Sequence, residues 1–400
     1  MRAVLREVIP DGTQWGIKGD FFPDWLNLEF GQDLKDGSSL SFDYANDGVN
    51  ASKLKPGIFL QIEFNNSSTW FDSIFYCQEM SGALLKGSTE RRSRFACVSL
   101  RKLLSNVRWM PALGSEYMDE DAFKYVNVTP GDVIKAGIEN FWSRAKSKYG
   151  DPMNWLSSVT VLPGTAWEYL IDETVGPTTS ISEILDKYQE LGIATARFHG
   201  FQLQLSHYNW GKADTSHIVD AQLRVGWNLR EGEVAVSNTD VVTALLVKGS
   251  RDPFKEDSDV SSYAVQWVIA PSEYITEYGY LEGILEISDA SSPDTLQAVG
   301  RNYIRTHLEP RRSTSYAMVN DIRDYKTGEV IDNIPLPLVD FQCGDTISVF
   351  NGDSTEAEKV YAISVSYGNN GTIPEISLTL NDYFDNWQVK FDQRLRRLEA

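Results

Sequence analysis

Apolar and polar residues alternate along much of the chain, which is the pattern of strands with one face in a core. The segment 58–64 alternates in this way before a turn at Asn65-Asn66, and 201–205 does so after a turn at His199-Gly200. Further strands are predicted at 74–76, 95–100, 223–229, 264–269, 281–287, 346–349, 360–365 and 376–380. The segment 241–247 is apolar on both faces, which predicts a strand that is buried on both sides.

Apolar residues recur at helical spacing in four segments, which are 133–148, 180–192, 293–309 and 385–398. Asp132 is the predicted cap of the first helix, and Ser180 forms a capping box with Glu183 at the start of the second. Because these helices are few, the sequence predicts a fold that is mainly β with α+β parts.

The last predicted helix, 385–398, is amphipathic. Its apolar stripe consists of Trp387, Phe391, Leu395 and Leu398, and the opposite face carries Lys390, Arg394 and Arg397. A helix this short is marginal alone in water, so we expect the stripe to be buried. The helix either folds back on its own barrel or forms a bundle with two other copies, and Arg394 at a core position of a heptad favours the first arrangement.

The two ends of the chain share one order of elements. Near the start, Gly57 opens a strand, a turn with Asn follows, and two further strands lead into a helical run at 101–104. Near the end, Gly344 opens a strand, Asn351-Gly352 forms the turn, and two further strands lead into the C-terminal helix. This order indicates two small antiparallel barrels that arose by duplication and superpose with their glycines aligned, although unrelated barrels can match as coarsely. One continuous sheet, or barrels of different topology, would make the duplication argument wrong.

Length and composition agree with several folded domains. The chain has 400 residues, of which 42% are hydrophobic and 12% aromatic, enough for two to four cores. Cys77, Cys97 and Cys343 lie far apart in apolar, strand-like segments, so we expect three reduced core thiols. No apolar run is long enough for a signal peptide or a membrane span, and we expect synthesis in the cytoplasm.

The acidic balance of the chain argues against a surface that grips nucleic acid. The formal net charge is −19, whereas binding of phosphates needs clustered Lys and Arg. The charge serves solubility, or it keeps a surface from holding nucleic acid that passes nearby.

The sequence predicts no catalytic, cofactor or metal site. His199, His207, His217 and His307 form no metal-binding pair, and no nucleophile elbow or phosphate-binding loop is present. The strongest catalytic alternative is a glycosidase, since 11 Trp could stack on sugars and carboxylates cluster at 116–121 and 252–259. Both clusters lie in polar, loop-like segments, and most tryptophans lie beside apolar residues, so solvated loops and core tryptophans are the simpler interpretation.

The order of the segments resembles the tail-hub (minor tail, or tail-associated) proteins of long-tailed bacteriophages. Those proteins share a fold with the baseplate hubs of contractile phages and the heads of secretion-system spike proteins. The likeness is carried by LKPGIFLQIEF (54–64) with WFDSIFY (70–76), RFACVSLRKLL (94–104), ISEILDKYQELGIATARFHGFQLQL (181–205) with 219–249, and VDFQCGDTISVF (339–350) with 361–380. Order and spacing, rather than any one motif, support the resemblance between residues 50 and 385.

The resemblance implies two small antiparallel β-barrels joined by an α+β domain. The implied divisions are a first barrel at 1–110, a middle domain at 111–230, a second barrel at 231–383 with a helical insertion near 291–310, and a C-terminal helix at 384–400. Three such subunits would present six near-equivalent barrels to the sixfold tail above them.

The same resemblance implies a structural virion protein without enzymatic activity. It would be a homotrimer at the distal tail tip, made in the host cytoplasm, around the channel through which DNA is ejected. Its expected neighbours are the distal tail protein ring, the tape measure protein and other minor tail or receptor-binding tip proteins. Larger hubs continue into a needle, a fibre or a hydrolase, whereas this chain stops shortly after Leu398. We therefore expect host binding and cell-wall cutting to belong to other proteins. The alternative is a carbohydrate-binding or glycan-hydrolysing tail protein.

Overall fold

Strands form most of the described part of the protein. The computed structural model describes residues 2–33, 37–65, 72–83, 92–110, 123–149, 155–161, 170–176, 178–190, 194–207, 223–230, 234–237, 241–251, 263–287, 293–308, 311–319, 335–350, 355–368 and 374–380. The predicted C-terminal helix at 385–398 therefore lies outside the described residues.

The first barrel contains seven antiparallel strands and a short helix. They are β1 (Ala3–Ile9), β2 (Ile17–Phe22), β3 (Trp25–Asp33), β4 (Gly37–Ala45), β5 (Phe59–Phe64), β6 (Ile74–Ala83), β7 (Arg92–Ser99) and α1 (Leu100–Leu103). The hydrogen-bonded order is β2-β1-β5-β6-β7-β4-β3. The three strands from Gly57 onward and the helix after them were predicted, whereas β1 to β4 were not.

The middle part combines helices with two small sheets. Its elements are β8 (Lys124–Val128), α2 (Pro130–Tyr149), β9 (Ser158–Val161), β10 (Ile171–Thr174), α3 (Ile181–Glu190), β11 (Ala194–His199) and β12 (Gln202–His207). Strand β8 pairs with β10, and β12 lies between β9 and β11. Both predicted helices are present, but the predicted cap Asp132 is wrong. The Thr129 hydroxyl precedes the helix and accepts a hydrogen bond of 3.2 Å from the Asp132 N–H, while Pro130 takes the first turn.

Helix α3 starts at the predicted capping box. The Ser180 N–H donates to Glu183 Oε2 at 2.6 Å, and the Glu183 N–H donates to Ser180 Oγ at 3.2 Å. Together these bonds satisfy two backbone donors that the first helical turn leaves unpaired.

Replacement of Glu183 by Ala should destabilise the protein by about 1 kcal/mol at neutral pH, because one backbone donor loses its partner. The hydrogen bond from the Ser180 N–H lowers the pKa of Glu183 below its ordinary value of 4.5. A lowered pKa stabilises the fold above the ordinary value, and this contribution is lost as the pH falls through the lowered one. Urea unfolding at pH 7 and pH 3 should therefore give a smaller difference between variant and natural chain at pH 3. An equal difference at both pH values would contradict a role for the charge.

The second barrel is interrupted by an α+β insertion. Its described elements are β13 (Leu223–Arg224), β14 (Leu229–Arg230), β15 (Val234–Ser237), β16 (Ala244–Arg251), β17 (Tyr263–Ile269), α4 (Ser272–Tyr278), β18 (Glu282–Glu286), α5 (Pro293–His307), β19 (Arg311–Met318), β20 (Thr346–Phe350), β21 (Thr355–Ser366) and β22 (Glu375–Leu380). Helix α5 matches the predicted helix, and the strands predicted from 264 onward are all present.

Two predicted strands in this part differ from the structure. The segment 223–229 is two short strands around a turn, in which the Arg224 N–H donates to Asn228 Oδ1 at 2.5 Å and Gly226 has a positive φ of 82°. The implied bounds of the second barrel, 231–383, include the predicted strand 241–247, but the corresponding strand β16 is not part of that barrel. It is the central strand of a separate sheet with the order β17-β16-β18, whose central position explains its apolar sequence.

The two barrels are joined into one sheet, so the expectation of separate sheets is wrong. Strand β3 of the first barrel pairs antiparallel with β21 of the second, with Phe30 opposite Val365 and Asp33 opposite Ala362. An edge strand exposes unpaired backbone groups, and this pairing satisfies those of both edges. The resulting sheet has 14 strands.

The buried hydrophobic residues of the described part form two cores. One contains buried residues from both barrels, including Phe30, Phe64, Ile363 and Leu378. The other joins the middle part to the insertion in the second barrel and includes Trp109. Cys77, Cys97 and Cys343 are free and buried, which confirms the prediction of reduced core thiols.

Candidate assembly surface

The two barrels match residue by residue around the glycines that the sequence singled out. The Gly57 N–H donates to the Cys77 carbonyl at 2.9 Å, and the Cys77 N–H donates to the Ile58 carbonyl at 2.9 Å. In the second barrel the Gly344 N–H donates to the Val360 carbonyl at 2.8 Å, and the Val360 N–H donates to the Asp345 carbonyl at 2.8 Å. Both glycines have a positive φ, 100° and 92°, which side chains rarely adopt.

The match continues through the neighbouring strands. Cys77 lies opposite Cys97, and its equivalent Val360 lies opposite Leu380. A bulge follows at the same place in both barrels, between Cys77 and Glu79 and between Val360 and Ala362. Bulges re-aim a strand at a defined position, so two bulges in equivalent positions give the barrels the same local bend.

The strand order is also the same in both barrels, with one difference. The first runs β1-β5-β6-β7-β4-β3 and the second runs β13-β20-β21-β22-β19-β14. Strand β1 pairs antiparallel with β5, whereas the two-residue strand β13 pairs parallel with β20. The continuous sheet meets the condition that was set against the duplication, so the duplication stays a prediction, whereas the shared strand order and register of the two barrels are observed.

A polar groove follows the line where the two barrels meet. It has a volume of about 270 Å³ and is lined by Gln32, Asp33, Ser39 and Lys102 from the first barrel and by Ser364, Ser377 and Thr379 from the second. Hydroxyl, carboxylate and ammonium groups therefore lie at the join, on a surface to which both barrels contribute.

Charged side chains from three parts of the chain interact with one another. Asp72 follows β5, Arg197 lies on β11 of the middle part, and Asp345 precedes β20 of the second barrel. The Phe198 N–H donates to Asp72 Oδ1 at 3.3 Å, and the Asp72 N–H donates to the Phe198 carbonyl at 2.9 Å. Burial raises the pKa of Asp72, with opposing effects from that hydrogen bond and from Arg101 and Arg197. Burial lowers the pKa of Arg197 to about 9.

The sheet of the insertion has one covered and one open face. A Cβ at Gly300 of α5 would lie 2.6 Å from Val268 and 2.8 Å from Val247, so both valines face that helix. Side chains alternate along a strand, and the residues between them point the other way. These residues form the open face, defined here as Tyr263, Val265, Trp267 and Ile269 of β17 with Ile284 of β18. They are 46–70% exposed.

The histidines considered as metal ligands lie apart from one another. The ring of His199 lies beside Trp15, with ring centroids 4.9 Å apart, and its Nδ1 is 2.9 Å from Gln14 Nε2. His307 stacks on Tyr303 at the end of α5. His207 is the last residue of β12, opposite Ala194, and His217 lies outside the described residues.

The residues considered for sugar chemistry form no site in the part of the chain that the structure describes. The acidic clusters at 116–121 and 252–259 fall outside it. Trp109 is fully buried, and Trp25 and Trp155 pack against the cores. Within the described ranges no group of His, Cys, Asp or Glu is arranged to hold a metal ion, and none of their helices combines the length and apolarity of a membrane span.

Sequence reasoning missed the open face and the charged cluster. Val265, Trp267 and Ile269 were predicted as a strand, but the sequence does not tell which face a helix covers. Asp72 and Arg197 are far apart in the chain, and no local pattern connects them. One sequence signal could have indicated the open face. Both faces of the strand 264–269 carry apolar residues, although only one face needs to enter a core.

Comparison with known proteins gives the fold a precedent. No protein-family model and no curated protein matches the sequence. Among solved structures, the prophage MuSo2 43 kDa tail protein from Shewanella oneidensis matches with a TM-score of 0.56 and 12% identity, over 95% of this chain and 98% of that one. Prophage tail protein gp18 from Listeria monocytogenes matches with a TM-score of 0.58 and 10% sequence identity, over the full length of both chains. The tail protein from Neisseria meningitidis matches with a TM-score of 0.57 and 10% sequence identity, over 96% of this chain and 97% of that one. The chain therefore has the fold of these phage tail proteins, as its sequence pattern predicted.

Proposed function

We propose that this chain is the tail hub of a long-tailed bacteriophage, a structural virion protein that assembles as a homotrimer. It would join the sixfold tail tube and distal tail ring to the threefold tip, around the channel through which DNA leaves. The division into a first barrel at 1–110, a middle domain at 111–230 and a second barrel at 231–383 belongs to this proposal, except that the pairing of β13 and β14 places residues 223–230 with the second barrel. The shared fold with three tail proteins supports it.

The residue-level equivalence of the two barrels carries the proposal. A ring of three subunits that each hold two alike barrels offers six similar surfaces, which is what a sixfold partner needs from a threefold one. Pairing of β3 with β21 fixes the barrels side by side, so their spacing does not depend on a flexible linker. The polar groove at the join repeats once in each subunit.

The proposed role needs no catalytic residue. Its partners are other copies of the chain, the distal tail ring, the tape measure protein and further tip proteins, with DNA only in transit. Carboxylates facing the channel would keep DNA from lodging there, which is one use for the charge of −19.

The mass of the purified full chain in solution tests the proposal. We expect native mass spectrometry to give three times the chain mass of 45.0 kDa, and electron-microscope images down the axis to show six lobes. A monomer or dimer at micromolar concentration would contradict the hub. A monomer that turns over host glycans would favour the carbohydrate-active alternative instead.

A further inference from the structure

The open face of the insertion is too apolar to be an ordinary solvated surface. The cation Lys248 beside this face is already neutralised, since its Nζ lies 3.1 Å from Glu286 Oε1 and 4.4 Å from the ring centroid of Tyr263. Exposed aromatic and aliphatic side chains at this density mark interaction sites. A partner could therefore cover this face without burying an unpaired Lys248.

The size of the open face suits a single segment of chain. Five side chains that are about half exposed present on the order of 500 Å² of apolar surface. A stable interface between folded proteins buries roughly 800 Å² on each partner. One amphipathic helix that lies on the sheet along the direction of β17 would cover the roughly 500 Å² of the open face.

The last part of the chain leaves the second barrel beside this insertion. Leu380, the last described residue, lies opposite Thr314 of β19, and β19 begins directly after α5 ends at His307. The insertion is tied to the barrel at the same place, where the Val242 N–H donates to the His307 carbonyl at 3.0 Å. Leu380 therefore lies near the base of the insertion.

The first barrel gives a precedent for such an exit. Cys97 is the equivalent of Leu380, and soon after it the chain turns into α1 and leaves the barrel. Leu100 and Leu104 are then buried in the core of the neighbouring α+β part rather than in that of the barrel.

The lengths of the stripe and the open face agree. From Ile269, near the base, to Tyr263 the strand covers about 20 Å at about 3.3 Å per residue. From Trp387 to Leu398 a helix covers about 17 Å at 1.5 Å per residue. Residues 381–386 can span up to about 20 Å between barrel and helix.

The charges agree as well. Between 390 and 400 the sequence has four basic residues, Lys390, Arg394, Arg396 and Arg397, and two acidic ones. Strand β18, at one side of the open face, presents the exposed carboxylate of Glu282, whereas Glu286 already pairs with Lys248. We infer that residues 385–398 form a helix that packs Trp387, Phe391, Leu395 and Leu398 on the open face of their own chain. The insertion then has a helix on each side of its sheet.

Thiol labelling of the open face tests this inference. A full-length Val265→Cys variant should react with a maleimide roughly tenfold or more slowly than the same variant truncated after Leu380, because the rate follows the time for which the face is uncovered. Val126→Cys, a residue 59% exposed on β8, is the matched control and should label equally in both. The natural cysteines are buried and give the background. Phe391→Asp in the full-length chain should speed labelling of Val265→Cys in the same way, which covers the case of a truncated chain that does not fold.

A disulfide between two introduced cysteines identifies the occupant. If the helix runs outward from the base, Leu395→Cys should cross-link to Val265→Cys within one chain, and Arg397→Cys should not. Equal labelling in full-length and truncated chains would overturn the inference. A cross-link between two chains would also overturn it, since a second copy would then cover the face. These results do not depend on whether the chain is a tail hub.

Discussion

Replacement of Arg197 by Met is expected to destabilise the protein by about 2 kcal/mol, because it leaves the part-buried carboxylate of Asp72 with Arg101 as its remaining cation. Arg197 interacts with Asp72 of the first barrel and Asp345 of the second, so the loss should loosen the contact between three parts of the chain. Urea unfolding of the full chain measures the change.

Two further variants separate charge from packing. When Asp72→Asn is added to Arg197→Met in the same chain, part of the lost stability should return. The double variant has neither the carboxylate nor the guanidinium, so neither charge is left without the other. Arg94 pairs with Glu29 at 3.6 Å, with side chains 62% and 60% exposed, and Arg94→Met should change stability by less than about 1 kcal/mol. Equal effects of Arg197→Met and Arg94→Met would show that the buried cluster contributes no more than a surface pair.

The loss at Arg197 should also depend on pH. The pKa of Asp72 is already raised by burial and rises further without Arg197. A raised carboxyl pKa penalises the fold above that pKa, and the penalty disappears as the pH falls through it, because the neutral acid needs no cation. The difference between Arg197→Met and the natural chain should therefore be smaller near pH 4 than at pH 7. A constant difference would mean that lost packing, not charge, is responsible.

Replacement of Gly200 by Ala is expected to destabilise the fold by at least about 3 kcal/mol, through a strained backbone and a steric overlap. Gly200 has a φ of 62°, and an added Cβ would lie 2.1 Å from the Gln14 carbonyl oxygen. The Phe201 N–H donates to that same oxygen at 2.6 Å. The overlap would thus push the β11–β12 hairpin away from the loop between β1 and β2.

Gly226 provides the matched control for this change. Its φ is 82°, but nothing lies within 4 Å of an added Cβ, so Gly226→Ala should lose only the backbone preference, about 1 kcal/mol. The difference between the two variants in urea unfolding isolates the contact with Gln14. Similar losses would show that the loop moves aside easily.

Local pattern was sufficient for most helices and for the strands after Gly57. Alternation at 58–64 and the capping box at Ser180 depend on neighbours in sequence, and both were predicted correctly. The strands before Gly57 were missed although Leu28, Phe30, Leu40 and Phe42 alternate inward. The pairing of β3 with β21 joins distant segments, and no pattern within either strand specifies its partner.

The surfaces were harder to predict than the elements. The sequence predicts a strand at 264–269 but not which of its faces is covered, and α5 covers only the face of Val268. Asp72 and Arg197 read as polar loop and strand positions until the fold brings them together. Which apolar face is open and which charges are buried depend on tertiary placement, and one sequence does not contain that information in local form.

The pairing of β3 with β21 has a consequence for synthesis. Asp33 and Ala362 are partners across roughly 330 residues, which a ribosome takes about 15 to 70 s to add. During that time β3 can fold with β4 and β7, but its other edge has no partner from its own chain. A neighbouring nascent chain offers the same edge, and unpaired edges of this kind favour association between chains. Slow translation or high expression should therefore increase aggregation before the last strands emerge, and chaperones that bind nascent chains should reduce it.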